Sequence, residues 1–273
     1  MDKLKSYDSI IISPHFDDAI LSLYGYIHRF KETEKILVLN VFSGRPDSRI
    51  KLSPLAKNTI MHDLNINDVI SIDPILYNQR RNAEDQKAID HLGVKRHDLN
   101  YLDAIFRGNP PLYTNERELF SNIKESDIKI IVELFQIIKH NFVKGCKLFF
   151  PLAIGEHVDH QIVNFVGKQL AKENYNCIFY EDFPYCAIED IKYVNDKGFN
   201  SHYEAFYVDL EGIIDKKVSA IKIYDSQIKG LFGDKSNIIN MLNKYFESSP
   251  SQTINGFERI WLKKDNYSVI SKY

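Results

Sequence analysis

Two short clusters of histidine and aspartate carry residue types that can hold a metal ion. The first is Ser13-Pro14-His15-Phe16-Asp17-Asp18, directly after the apolar run Ile10-Ile11-Ile12. The second is His157-Val158-Asp159-His160, a short loop beyond the apolar run Leu148-Phe149-Phe150. His157 and His160 are three residues apart, so at a helix start their side chains share one face. Two histidines and a carboxylate are a usual ligand set for catalytic zinc, with the fourth position left to water. Such water ionises near pH ~7 and becomes a nucleophile. Any three groups among His15, Asp17, Asp18, His157, Asp159 and His160 meet that need, and a spare carboxylate remains to act as base.

Each cluster alone has a plainer reading. Asp17 or Asp18 suits a helix N-cap, and Asp159 suits the positive end of a helix dipole. The metal reading gains weight because both clusters come directly after strand-like runs. In open α/β sheets ligands bind outside the carboxyl ends of the strands. The two clusters meet there if their strands are near neighbours.

The elements that position them can be read from periodicity. Asp8 to Ser13 reads as a strand buried on both faces, since its apolar residues run continuously. Ile20, Leu21, Tyr24 and Ile27 then recur at helical spacing up to Phe30, and Lys35 to Phe42 reads as a second strand parallel to the first. The segment 47–79, interrupted by Pro54 and Pro74, is expected as helix and loop. A helix from Arg80 ends at Gly93, and a short strand is expected over 98–102. A helix over 126–141 capped by Ser126, a strand over 147–150, a helix from His157 or Val158 to Lys172, and a strand over 177–180 continue the alternation. Beyond Tyr185 come a strand at 203–208, one helix over 213–229, another over 237–246, and a last edge strand over 258–262. This alternation indicates an α/β, three-layer, Rossmann-like fold with a mostly parallel sheet.

The chain of 273 residues is 44% hydrophobic and 26% charged, the balance of an ordinary globular protein. It is expected to form a single domain over 1–273, with a core at about 8–185 and a C-terminal extension over 186–273. A net charge of −2 gives no footprint of a nucleic-acid binder. The apolar runs are too short for a signal-peptide core or a membrane span, so a cytoplasmic protein is expected. Cys146, Cys177 and Cys186 fit neither a disulfide framework nor a zinc knuckle, and read as buried thiols.

Pro14-His15-Phe16-Asp17-Asp18 resembles the His-Pro-Asp-Asp motif of the LmbE-like, or PIG-L, zinc-dependent N-deacetylases, and His157-Val158-Asp159-His160 resembles their second motif. Arg81-x-x-Glu84 with Ala88 and Leu92-Gly93 is similar to their middle signature. Tyr180 to Tyr185 and Tyr224 to Gln227 are similar to segments of bacterial members. The resemblance implies Zn2+ held by His15, Asp18 and His160, with Asp17 as general base. It implies His157 as the acid or the group that stabilises the oxyanion, Asp159 as the group orienting the His157 ring, and Asp103 with Arg81 holding substrate hydroxyls or an adjoining anionic group. Arg107, Arg45 and Tyr185 are pocket candidates because they lie on loops at strand ends. The implied reaction removes an acyl group, acetyl above all, from the amide nitrogen of an N-acetylglucosamine-type or other amino-sugar conjugate. A small-molecule partner is expected, without nucleic acid or membrane.

Two positions depart from the family pattern. Phe16 replaces the usual proline, and Ala19 stands where many members have glutamate. A plainer reading also exists for Arg81, as a helix-surface pair with Glu84. Two other functions use the same residues: a metal-dependent phosphodiesterase, which needs more bridging carboxylates, and a binding module that keeps the fold without catalysis.

Overall fold

The computed structural model describes residues 6–188, 201–248 and 256–264. Parts of the expected C-terminal extension, 189–200, 249–255 and 265–273, lie outside the described residues. Strands are β1 (Ser9–Ser13), β2 (Ile36–Asn40), β3 (Lys95–Asp98), β4 (Lys147–Pro151), β5 (Cys177–Tyr180), β6 (Tyr203–Asp209) and β7 (Phe257–Lys263). Helices are α1 (Asp18–Phe30), α2 (Pro54–Leu64), α3 (Pro74–Leu92), α4 (Glu116–Leu119), α5 (Ile128–Asn141), α6 (Val158–Lys172), α7 (Tyr185–Ile188), α8 (Ile214–Ile221), α9 (Asp225–Phe232) and α10 (Asn237–Phe246).

The strands form one sheet in the order β3-β2-β1-β4-β5-β7-β6. The first five are parallel, and β7 runs antiparallel to both β5 and β6. Alternate strand residues feed two apolar layers. Ile10, Ile12, Leu148 and Phe150 face one layer with α5 and α6, while Ile11, Val38 and Phe149 face the other with α1 and α3. This is the expected three-layer α/β architecture. From β1 the chain winds outward through β2 and β3, then returns to place β4 on the other side of β1. The crevice between the carboxyl ends of β1 and β4 is the switch point of the sheet. Both histidine clusters emerge there.

Several expectations about single elements need correction. The edge strand lies at Lys95–Asp98, not at 98–102. Its residues are charged and alternate between exposed and half-buried, so it lacks an apolar signature. Pro54 and Pro74 do not interrupt helices; they open α2 and α3, capped by Ser53 and Asp73. Their missing N–H groups are unneeded in a first turn. Gly93 ends α3 in the left-handed conformation, as expected (φ 74°). Ser126 does not cap α5; Asp127 holds that position and turns its carboxylate to Tyr113 and Arg107. The expected helix over 213–229 is two helices, broken before Tyr224, whose hydroxyl donates to Asp85 at 2.8 Å. The last strand, β7, is not at the edge; it is inserted between β5 and β6.

Helix α1 is itself bent at Leu23 (φ −132°, ψ 22°). The amides of Gly25 and Tyr26, beyond the bend, donate to the Glu258 carboxylate on β7 at 2.7 and 3.0 Å. A Cβ on Gly25 would lie 2.3 Å from Leu210, so only glycine allows this approach. No helix among the described residues is long and apolar enough to cross a membrane.

Candidate active site

The loop after β1 folds on itself through Ser13, whose hydroxyl donates to the His15 carbonyl at 2.7 Å and accepts from the Ala19 amide at 3.0 Å. Asp17 occupies the N-cap position but makes no side-chain cap. Asp18 reaches back instead, its Oδ2 accepting the His15 amide at 2.7 Å. Both carboxylates are therefore released from the capping role and turned toward the crevice. Phe16 is buried with the Arg96 guanidinium over its ring, and Ala19 packs in the apolar layer around α1.

The second cluster is placed by a strained loop. Ala153, Gly155 and Glu156 all have positive φ, between 59° and 90°. For the two non-glycine residues this costs about 1–2 kcal/mol each. Gly155 also lets the Tyr185 ring approach to 2.8 Å of where a Cβ would stand. The loop delivers His157 as N-cap of α6, its Nδ1 accepting the Asp159 amide at 3.2 Å. That bond leaves Nε2 as the protonated nitrogen of the neutral ring.

The clusters meet around Asp18. Its Oδ2 lies 3.4 Å from His15 Nδ1 and 3.4 Å from His160 Nε2. The ligand atoms of His15, Asp18 and His160 all fall within 4.8 Å of one another, and all three residues are buried. The far nitrogen of each histidine is held by a carboxylate: His15 Nε2 by Asp159 Oδ2 at 3.0 Å, and His160 Nδ1 by Asp182 Oδ1 at 2.6 Å. Each ring is thus oriented with its other nitrogen facing the shared point.

The charge of the pocket suits a cation. Asp17, Asp18, Asp103, Asp159 and Asp182 are gathered here, answered by the guanidiniums of Arg81 and Arg107. Burial disfavours a charged His15 ring, yet Asp103, Asp159 and Asp18 hold it well above its ordinary value. Burial likewise opposes a charged His160, and Asp18 and Asp182 raise it. Burial pushes the Asp18 carboxyl up, but His160 and His15 outweigh it and keep Asp18 well below the usual range. Burial raises the Asp17 carboxyl, with Arg81 opposing. The donor set therefore fits a divalent ion at the His15, Asp18 and His160 atoms, which would supply the positive charge that protons on the histidines otherwise provide.

Two expected roles change. The Asp159 carboxylate does not orient His157; it holds His15, accepts the Ala104 amide at 3.0 Å and pairs with Arg107. The hydrogen bond between the two residues runs from the Asp159 amide to His157 Nδ1, while the carboxylate stands within 4.8 Å of the ring. Arg107 is not a pocket residue. It is buried between the Phe42 and Tyr113 rings and its guanidinium is committed to Asp159, Asp127 and the Leu102 carbonyl. Arg45 is exposed and lies off the cavity wall, whereas Tyr185 lines it.

Arg81 does not pair with Glu84. Its Nη1 donates to Asp103 at 3.1 Å and its Nη2 to Asp17 at 3.4 Å, while Glu84 accepts from Arg80 and from the Ser226 hydroxyl. The segments around Arg81 and Tyr224 are thus docked on each other. Asp182, whose carboxylate also accepts the Ile154 amide, received no role from the sequence. Its place just after β5 is the signal that would have singled it out.

These groups form the floor of a cavity of about 1010 Å3. His15, Asp17, Asp18, His157 and His160 lie with Arg81 and Asp103 along it, and α2, α4 and α9 contribute the outer walls.

Comparison with known proteins gives the family and the fold. Residues 10–171 match the PIG-L family model, described as GlcNAc-PI de-N-acetylase. The chain is 31% identical over 241 residues to the 2'-N-acetylparomamine deacetylase of Niallia circulans, covering 83% of each protein. It is similar in fold to the zinc-inhibited form of the teicoplanin deacetylase Orf2, with a TM-score of 0.72, 22% identity and coverage of 94% of this chain and 98% of the other. It is also similar to the A40926 pseudoaglycone deacetylase Dbv21, with a TM-score of 0.68, 25% identity and coverage of 94% and 97%.

Proposed function

The chain belongs to the PIG-L family and is a hydrolase of the deacetylase class, and from that premise we propose how its residues share the reaction and on what. The observation that carries the proposal is the convergence of the His15, Asp18 and His160 ligand atoms beside Asp17 in one cavity. His15, Asp18 and His160 would hold a zinc ion, which when bound supplies a Lewis acid and lets water attack at neutral pH.

Asp17 is the general base. Its Oδ1 accepts from Arg81 at 3.4 Å, which orients the carboxylate that takes the proton of the attacking water. Burial, which raises this carboxyl, brings it nearer the pH at which a base both accepts and returns a proton. His157 faces the same cavity with Nε2–H. Burial and the neighbouring His15 hold it well below its ordinary value, so it is neutral and donates a hydrogen bond to the amide oxygen as charge grows there. Asp103 and Arg81 present polar atoms to sugar hydroxyls. Asp159 and Asp182 act through the histidines they hold and do not touch substrate.

The substrate class we infer is an N-acetylated amino-sugar conjugate. It is supported by the paromamine relative and by a cavity large enough for more than one ring. The phosphodiesterase reading is not favoured: Asp159, the carboxylate a second metal would need, is already tied to Arg107 and the Ala104 amide. The chain is read as one domain, because strands from 186–273 complete the sheet begun by 8–185. A cytoplasmic setting belongs to the same proposal, supported by three free, buried thiols.

The test is acetate release from a panel of N-acetylglucosaminides by protein of measured metal content, before and after chelation and after zinc is restored. Release that tracks the metal supports the reading. Hydrolysis of phosphodiesters in place of amides, or amide hydrolysis indifferent to metal removal, would overturn it.

A further inference from the structure

Behind the His15 side of the site lies a buried ionic cluster that the chemistry above does not use. Arg107 is 5% exposed, between Asp159 at 0% and Asp127 at 1%. Its Nη1 donates to Asp159 Oδ1 and to the Leu102 carbonyl, and its Nη2 lies 2.9 Å from Asp127 Oδ2. The centres of the Phe42 and Tyr113 rings stand 5.0 and 5.3 Å from its guanidinium carbon. The Tyr113 hydroxyl donates to the same Asp127 oxygen at 2.8 Å. Two rings, a carbonyl and two carboxylates leave the guanidinium one position.

That position fixes Asp159. Its Oδ1 is taken by Arg107, while Oδ2 meets His15 Nε2 at 3.0 Å and accepts the Ala104 amide at 3.0 Å. Ala104 opens a short 3-10 turn, Ala104–Phe106, capped by Asp103. Asp103 Oδ1 accepts the Ile105 amide at 3.2 Å, and Oδ2 remains for Arg81 at 3.1 Å. The turn therefore carries Asp103 to the cavity at one end and Arg107 into the interior at the other. One carboxylate anchors both the His15 ring and the loop that bears Asp103. Stability is a weak account of the cluster, because apolar side chains of the same volume often serve as well as a buried ion pair or better. A carboxylate that has to point at a metal-binding ring, in contrast, needs a fixed partner behind it.

We propose that Arg107 is a positioning residue that joins the metal site and the substrate loop into one unit, holding Asp159 so that His15 is aimed at the ion while Asp103 is aimed at the substrate. This rests on the deacetylase reading and deepens it. Arg107 touches neither ion nor substrate. A shift of Asp159 moves His15 and the Ala104 turn together, so loosening Arg107 weakens both kinds of binding at once.

The test is Arg107→Lys, which keeps the charge but replaces a planar fork by a single point, so that Asp159 and Asp127 are no longer held in one geometry. Zinc affinity by chelator competition is expected to fall about tenfold, the lower end of the range for groups behind a metal ligand. At saturating zinc, KM for an N-acetylglucosaminide is expected to rise about 5- to 10-fold, the scale of one lost hydrogen bond, with kcat nearly unchanged. Tyr113→Phe keeps the ring and frees Asp127 of its hydroxyl; it is expected to move both readouts in the same directions by a smaller factor, and it stands independently should the lysine variant fold poorly. Urea unfolding separates this from a purely structural role. Variants that lose stability while zinc affinity and KM per folded molecule stay at wild-type values would overturn the proposal, as would a change in one readout without the other. Either result leaves the deacetylase reading intact if the zinc-loaded wild type releases acetate; a wild type that binds zinc and releases none would overturn both.

Discussion

Two regions of buried charge in this protein are built differently. At the carboxyl ends of the parallel strands, Asp17, Asp18, Asp103, Asp159 and Asp182 are answered among the described residues by the guanidiniums of Arg81 and Arg107, and the deficit falls on a point ringed by histidine nitrogens. In the antiparallel part, each acid has its own base. Glu258 pairs with Lys217 at 2.7 Å and also accepts the two α1 amides, and Glu181 pairs with Arg259 at 3.0 Å while accepting from Tyr245 and Trp261. Burial and ionisation alone therefore do not mark a site. An unbalanced set, open to a cavity, does.

The comparison is broken or sharpened by variants in each region. Asp17→Ala should lower kcat by about 10²–10⁴, the range for a general base, while bound metal per chain, read by elemental analysis, stays unchanged. Wild-type turnover in that variant would remove Asp17 from the chemistry. Glu258→Gln should do the opposite. Leaving Lys217 buried without its partner should cost about 3–5 kcal/mol in urea unfolding, while kcat per folded molecule holds. A fall in kcat with unchanged stability would mean that the antiparallel part reaches the reaction directly.

Smaller effects grade the same contrast. Asp182→Asn should weaken metal binding about 10- to 100-fold in chelator competition, because His160 loses the charge that orients it. Asp85 gives the smallest effect. On the buried face of α3, it is pushed up to about 7 by burial despite Arg96 at 2.9 Å. The folded chain then holds a proton that the unfolded chain has released above its ordinary range. Stability should therefore fall as pH rises toward 7, by at most about 1.4 kcal/mol per pH unit, and Asp85→Asn should flatten that slope. An unchanged slope would locate the proton elsewhere.

Much of the site was legible because its residues obey a topological rule. Strands such as Ile10–Ile12 and Leu148–Phe150 announce themselves by continuous apolar runs, and the loops at their carboxyl ends arrive at the switch point whatever the intervening chain does. The same rule marks Asp182 after β5. Other features depend on partners distant in sequence. Nothing local says that β7 inserts between β5 and β6, or that Lys95–Asp98, with no apolar face, pairs with β2. Arg107 sits on a loop beyond a strand like a binding residue, but a pair of rings and two carboxylates claim it. Asp159 is read toward its neighbour in sequence, and its carboxylate serves His15 across the crevice. Spacing identifies which groups arrive at the site; which of their atoms meet is decided by the loops between.

The bend in α1 adds an element of timing. The helix after the first histidine and aspartate loop has two amides reserved for Glu258, 233 and 232 residues further along the chain. At 5–20 residues per second, synthesis delivers that carboxylate roughly 10–50 s after the helix itself has been made. A ribosome-bound chain that ends before Phe257 should therefore show rapid amide exchange at Gly25 and Tyr26, and a chain that includes β7 should show protection. The first part of the site to be translated is among the last to be locked in place.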